Sequence, residues 1–72
     1  MKTLFIRNNW KLQYITENCY HPYYMLENMK NGFGDNPLRY SDGWIVYNNP
    51  FRIPNYVKSL VSKSINKHYT EL

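Results

Sequence analysis

The sequence predicts a small α+β domain, built as an antiparallel sheet of two hairpins with a C-terminal amphipathic helix packed on one face (β-β-α-β-β-α). Three observations support this prediction. Two short segments that alternate apolar and polar residues are separated by Asn8-Asn9, and two more flank Asp42-Gly43. From Asn55 onward, apolar residues recur at the spacing of a helix instead.

The first hairpin is predicted to comprise strands over residues 3–7 and 10–16. Asparagine tolerates the positive φ angles of a tight turn, so the asparagine pair between these strands favours a hairpin. A two-residue turn would pair Ile6 with Lys11, whereas a three-residue turn would pair Ile6 with Leu12. A slip of one residue moves every side chain to the other face. Because only the second register brings apolar residues together, we predict a three-residue loop or an equivalent bulge.

Residues 23–30 are predicted to form a short helix. They follow Pro22 and are closed by Asn31-Gly32, and proline is favoured at the first helical position and glycine just past the last one. The methionine and leucine residues of this segment fall on one helical face, and both types are good helix formers. A strand over Tyr23–Asn28 is the alternative interpretation, and the helix is preferred.

The second hairpin is predicted from strands over residues 38–41 and 44–47. Asp-Gly between two strand-like segments is a strong hairpin signal, and a two-residue turn there would pair Tyr40 with Ile45. The preceding residues, 32–37, are rich in glycine, aspartate, asparagine and proline, which are the residues that turns select. We therefore predict a loop before this hairpin.

The last element is predicted to be an amphipathic helix over residues 55–68. The apolar residues that share one helix face are Val57, Leu60, Val61 and Ile65. Ser64 and His68 extend this stripe. Lys67 and His68 lie near the end of the helix, where cationic side chains complement the negative pole of the helix dipole.

The composition indicates one domain, residues 1–72, in a reducing compartment. A single cysteine excludes an internal disulfide, and unpaired cysteine is typical of the cytoplasm. No apolar segment approaches the length of a membrane span, and Arg7 interrupts the apolar N-terminal segment that a secretory signal would need. We therefore expect a cytoplasmic protein without a role at the membrane.

No pattern in the sequence predicts catalysis or a cofactor. Cys19 and His21 are the only reactive pair close in sequence, but a nucleophilic dyad also needs a group that orients the base. His21 and His68 are 47 residues apart, and the spacing matches no set of metal ligands. Gly32 and Gly34 lack the lysine and the strand–helix context of a phosphate loop. We predict no catalytic residues, no metal site and no cofactor.

Tyrosine and positive charge are the features that point to a partner. The chain has eight Tyr, three Phe and two Trp, and a formal net charge of +4. Tyrosine and tryptophan are enriched in protein interfaces, and they stack on unpaired bases when cations are close. The surface residues nominated for partner binding are Tyr23, Tyr24, Tyr56, Lys63 and Lys67.

These features are compatible with three functions, in order of preference. The first is a small non-catalytic interaction protein. The residue types favoured by AT-rich codons make up about half the chain, which suggests a phage or mobile-element factor that binds and modulates a host protein. The second is a nucleic-acid-binding regulator that uses basic and tyrosine side chains. The third is a small ribonuclease toxin that would need His21, His68, a tyrosine, and Arg39 or Arg52. A homodimer through an unpaired sheet edge is a further expectation.

Overall fold

The computed structural model describes residues 1–17, 20–30, 36–41 and 43–71. These residues form an antiparallel sheet of five strands in sequential order, followed by one helix. The strands are β1 (Lys2–Arg7), β2 (Trp10–Ile15), β3 (Tyr23–Asn28), β4 (Asn36–Ser41) and β5 (Trp44–Val46). A short 3-10 turn (Pro50–Arg52) leads into α1 (Asn55–Glu71). The fold is therefore α+β, as the sequence predicts.

The helix predicted over residues 23–30 is wrong, because this segment contains strand β3. Burial alternates along the strand with a period of two, so that Tyr24, Leu26 and Asn28 are buried while the residues between them are half-buried. Strand β3 pairs with β2 on one side and with β4 on the other. The order is consequently β-β-β-β-β-α, and the alternative strand interpretation is the correct one.

The three-residue loop predicted for the first hairpin is also wrong. Asn8 and Asn9 both have positive φ angles, 49° and 69°, and form a two-residue turn between the paired residues Arg7 and Trp10. This turn leaves Ile6 opposite Lys11, with Ile6 exposed. The intrinsic tolerance of asparagine for the left-handed region therefore outweighs the apolar pairing that suggested a longer loop.

A β-bulge does occur in this hairpin, but it lies further along β1. Phe5 is opposite Leu12, while Thr3 is opposite Gln13, so the register shifts by one residue at Leu4. Both Leu4 and Phe5 pack against the core. The bulge thus allows two consecutive apolar residues of an edge strand to contribute to one core.

The second hairpin has the predicted pairing of Tyr40 with Ile45. Gly43 has a φ of 80°, the left-handed conformation for which glycine is suited, while Asp42 lies outside the described residues. The loop predicted over residues 32–37 is wrong at its end, because Asn36 and Pro37 already belong to β4 and pair with Leu26 and Met25. Residues 32–35 of that predicted loop lie outside the described part of the chain.

The core lies between one face of the sheet and α1. Its buried apolar residues are Trp10, Leu12, Tyr24, Leu26, Leu38, Ile53, Val57, Val61 and Ile65. The helix predicted over residues 55–68 is confirmed and continues to Glu71. Among the described residues, no helix has the length and apolar character needed to cross a membrane.

Candidate functional site

The face of the sheet that points away from α1 is called the open face. Alternation along each strand assigns its residues, because Leu12, Leu26 and Leu38 point into the core and their neighbours point the other way. The residues of the open face are Thr3 and Ile6 on β1; Lys11, Gln13 and Ile15 on β2; Tyr23, Met25 and Glu27 on β3; Pro37 and Arg39 on β4; and Trp44 and Val46 on β5. No described element packs across this face.

One half of the open face is apolar, and we call it the apolar patch. It consists of Ile15, Tyr23, Met25, Pro37, Trp44 and Val46. The side chains of Trp44 and Val46 are 76% and 53% exposed, whereas those of Ile15, Tyr23 and Met25 on the inner strands are half-buried by their neighbours. The patch therefore extends over four strands, with Arg39 between Tyr23 and Val46, and it is most exposed at the β5 edge.

The charges of the open face are distributed unevenly. At the end opposite the apolar patch, Lys11 and Glu27 are cross-strand partners and form an ion pair at 3.9 Å. Arg39 lies beside Val46 within the patch and is exposed, and it forms no ion pair with the described residues. Arg39 is thus the one cation of this face, among the described residues, whose charge is not offset there.

The N-terminus covers the middle of the open face. The Nε2 group of Gln13 donates a hydrogen bond to Sδ of Met1 at 3.0 Å, and Gln13 is buried although it points away from the core. The N-terminal ammonium of Met1 bonds to the carboxylate of Glu17 and thereby lowers the pKa of Glu17. The first residue therefore bounds the apolar patch on the β1 side.

The five nominated partner-binding residues do not form one surface. Tyr23 lies in the apolar patch, whereas Tyr56, Lys63 and Lys67 are exposed on α1, on the other side of the sheet. The hydroxyl of Tyr56 accepts a hydrogen bond from Asn8 Nδ2 at 3.3 Å.

Tyr24 is not a surface residue, and its nomination as one is corrected. Its side chain is 5% exposed and belongs to the core. The reason is the strand conformation of β3, which places Tyr24 opposite Tyr14 and Leu38 on the face that α1 covers. The nomination assumed a helical residue with an exposed side chain.

Among the residues with a chemically reactive side chain, His68 is the one whose position differs most from the sequence-based prediction. Rather than serving as an exposed cation at the helix end, it is 8% exposed and packs against Tyr14 with ring centroids 4.4 Å apart. Its Nδ1 lies 3.0 Å from the hydroxyl of Tyr24. Burial, followed by the influence of neighbouring tyrosines, raises the pKa of Tyr24 to about 12. The Tyr24 hydroxyl therefore stays protonated near neutral pH, and it shares a hydrogen bond with Nδ1 of His68.

Two of the residues considered for a ribonuclease, Arg39 and His68, are not brought together. Arg39 is on the open face, while His68 lies on the buried face of α1 on the opposite side of the sheet. Cys19 lies outside the described residues, so its pairing with His21 is outside them as well. Within the described part of the chain, no three His, Cys, Asp or Glu residues are grouped to hold a metal ion.

The chain matches no protein-family model, no curated protein and no solved structure. Its function is therefore inferred from the geometry of its own residues.

Proposed function

We propose that this protein is a small non-catalytic binding protein that contacts a partner protein through the apolar patch of its open face. We further propose that the partner is a host protein whose activity it modulates, and that binding occurs in the cytoplasm. The observation that carries the proposal is the uncovered patch itself, with Trp44 and Val46 mostly exposed. Soluble monomers rarely leave a contiguous apolar surface without a use for it.

The composition of the patch resembles that of an interface centre. Tryptophan, tyrosine and arginine are the residues most enriched among those that dominate binding energy, and Trp44, Tyr23 and Arg39 are all present here. Because the inner strands hold Tyr23 from both sides, this side chain loses little further conformational entropy on binding. The partner surface that fits is apolar and contains a carboxylate opposite Arg39.

The distribution of charge favours a protein over a nucleic acid as the partner of this face. Binding of single strands combines aromatic platforms with cations that follow the phosphate backbone. On the open face, Lys11 is already paired with Glu27, which leaves Arg39. The lysines Lys58, Lys63 and Lys67 belong to α1 on the other side of the sheet. On the open face, Arg39 is therefore the one unpaired cation among the described residues that accompanies the aromatic side chains, which is fewer than a phosphate backbone requires.

The edges of the sheet are less suited to binding than its face, and this argues against the expected edge-to-edge homodimer. Edge strand β1 contains the bulge at Leu4 and charged residues at both of its ends, Lys2 and Arg7. Edge strand β5 has three residues. Bulges, charges and short strands are the features by which proteins prevent edge pairing.

The experiment that tests the proposal is affinity capture with patch variants. The tagged protein and the variants Trp44→Ser and Arg39→Glu are used as baits in a low-GC bacterial lysate, with and without nuclease, and bound proteins are quantified by mass spectrometry. Lys63→Glu is the matched control, because it reverses an exposed charge on α1 without touching the open face.

We expect one protein in stoichiometric amount that survives nuclease treatment. Its recovery should fall at least about tenfold with either patch variant, which corresponds to about 1.4 kcal/mol of binding free energy, and stay unchanged with Lys63→Glu. Capture that is lost with nuclease, or with Lys63→Glu while the patch variants retain it, would instead support the nucleic-acid-binding regulator.

A further inference from the structure

A cleft of about 330 Å³ lies between β1 and the C-terminal half of α1, on the side of the molecule away from the open face. The polar residues that line it are Lys2, Thr3, Ser64, Lys67, His68 and Glu71. The four helical residues follow the i, i+3, i+4, i+7 pattern of one helix face, and the two strand residues lie at the start of β1. Lys2 is opposite Tyr14 and points to the side of α1, whereas Thr3 is opposite Gln13 and directs its side chain to the open face. Lys2 and the helical residues therefore direct polar side chains into one space.

The two lysines of the cleft are not neutralised by the protein. Neither Lys2 nor Lys67 forms an ion pair within 4.0 Å with any residue that the structure describes, and Glu71 is the one carboxylate in the lining. The cleft therefore has a net positive charge, which favours an anionic ligand.

One hydroxyl group of the cleft is also unoccupied by the described residues. Thr70, on the same helix, donates its hydroxyl to the carbonyl of Asn66 at 2.8 Å. Ser64 forms no such bond to the preceding turn within the described part of the chain. Its hydroxyl is available to donate to a ligand.

His68 contributes one further polar group. Its hydrogen bond with the Tyr24 hydroxyl is made through Nδ1, which leaves Nε2 for another partner. No buried side-chain nitrogen or oxygen among the described residues lacks a partner, and the one hydrogen bond of His68 there is made through Nδ1. Nε2 must therefore reach the surface, and His68 lines the cleft. The buried pair thus holds the imidazole at the wall of a positively charged cleft.

We propose that this cleft binds the phosphate group of a small phosphorylated molecule. Two ammonium groups match the two negative charges of a phosphate monoester, and the Ser64 hydroxyl can donate a hydrogen bond to one of its oxygens. The volume is at the lower end of the range for small-molecule sites, which is sufficient for a nucleotide or a sugar phosphate. Glu71 is placed to accept a hydrogen bond from a hydroxyl or amino group of the same ligand.

Because the cleft lies near the C-terminus of α1, the binding of an anion there requires the positive charges of Lys2 and Lys67. The C-terminus of a helix carries a partial negative charge that opposes an anion, although this effect falls off within the last turn. Lys67 and Ser64 precede that turn, but Glu71 lies in it. Binding of an anion here therefore depends on Lys2 and Lys67, whereas a helix N-terminus would attract it without side-chain charges.

The test is an NMR titration of the isotope-labelled protein with inorganic phosphate and with a nucleoside 5′-monophosphate, at an ionic strength held constant with chloride. We expect saturable shifts confined to residues 2–4 and 64–71. Lys67→Gln and Lys2→Gln should each weaken binding at least fivefold. Lys63→Gln, which removes an exposed lysine one turn earlier that does not line the cleft, should change it less than twofold.

Three outcomes would overturn the proposal. The first is a linear response without saturation, or an equal loss with Lys63→Gln and Lys67→Gln, which would indicate only general attraction to a basic protein. The second is acetate binding as tight as phosphate binding, which would exclude a phosphate site. The third is an unphosphorylated oligonucleotide binding as tightly as the monophosphate, which would assign the lysines to a nucleic-acid backbone. Because the cleft and the apolar patch are on opposite sides of the sheet, this proposal and the proposed function can fail independently.

Discussion

The hydroxyl of Tyr24 on β3 and Nδ1 of His68 on α1 share a hydrogen bond across a distance of 3.0 Å, and both side chains are buried. The two residues are 44 positions apart in the chain. Their bond therefore joins the middle of the sheet to the last turns of the helix. Tyr14 packs against both rings, with centroid distances of 5.0 Å to Tyr24 and 4.4 Å to His68. A polar pair is thus enclosed by aromatic surface at one end of the core.

Replacing Tyr24 by phenylalanine should destabilise the protein by about 1–3 kcal/mol. The substitution removes the hydroxyl but leaves Nδ1 of His68 buried without a partner, and the cost of that unpaired polar atom exceeds the net value of the hydrogen bond. Urea unfolding at pH 7, followed by circular dichroism, measures the change in the free energy of unfolding.

Tyr40→Phe is the matched control for this change. It removes a hydroxyl that donates to Oδ1 of Asn66 at 3.1 Å on an exposed part of the same helix, so it should cost less than about 1 kcal/mol. His68→Leu combined with Tyr24→Phe should recover part of the loss, because no buried polar group is then left unpaired. Strictly additive costs in the two single variants would contradict a direct bond between Tyr24 and His68.

Stability should fall between pH 10 and pH 12 because of Tyr24. In the unfolded chain a tyrosine ionises near its ordinary pKa of 10.0, while burial raises the pKa of Tyr24 to about 12 in the folded protein. Over this interval the unfolded state binds fewer protons than the folded state, so the free energy of unfolding decreases as the pH rises. A shift of this size corresponds to a loss of about 3 kcal/mol.

Urea unfolding at pH 8, 10, 11 and 12 follows this loss, about half of which should be present at pH 11, and Tyr24→Phe isolates the contribution of Tyr24. The variant is less stable at pH 8, but its stability should decrease less steeply above pH 10. A residual slope is expected, because burial also raises the pKa of Tyr47. Parallel curves for the original protein and the variant would show that Tyr24 does not titrate with a raised pKa.

The sequence was sufficient to predict the elements whose local signals agree with their tertiary environment. In α1, the apolar stripe of Val57, Val61 and Ile65 is also the buried face of the helix. The helical spacing of the apolar residues therefore predicts which residues enter the core. In β3 the signals conflict, since Pro22 and good helix formers favour a helix although the residues lie between two strands. Pairing on both sides, which is a long-range interaction, overrides the local preference there.

The candidate sites were less predictable because they depend on which face each element presents. Tyr23 and Tyr24 are adjacent and chemically identical, yet one lies on the open face and the other in the core. That distinction follows from the strand assignment of β3. The presence of His68 on the apolar stripe of α1 was a signal of its burial, but nothing in the sequence identifies Tyr24 as its partner.

Variants of Asn9 test whether the positive φ angles of the Asn8-Asn9 turn determine the stability of the first hairpin. Because Asn9 has a φ of 69°, Asn9→Gly should preserve or slightly increase stability, whereas Asn9→Ala should cost about 1–2 kcal/mol. The two variants differ by one methyl group, and thermal unfolding compares them directly. Equal melting temperatures would indicate that the conformation of this turn does not limit the stability of the hairpin.

Trp44 should be dispensable for folding if the apolar patch serves a partner. The side chain is 76% exposed, so Trp44→Ser removes little buried surface and should change the free energy of unfolding by less than about 0.5 kcal/mol. Ile65→Ala is the contrasting variant, because this fully buried residue of α1 leaves a cavity and should cost about 2–5 kcal/mol. Urea unfolding of both variants measures the difference.

A large loss with Trp44→Ser would show that the indole stabilises the sheet itself, and the exposed patch would then need no partner to explain it. Retained stability together with lost capture of the partner would separate binding from folding at a single residue.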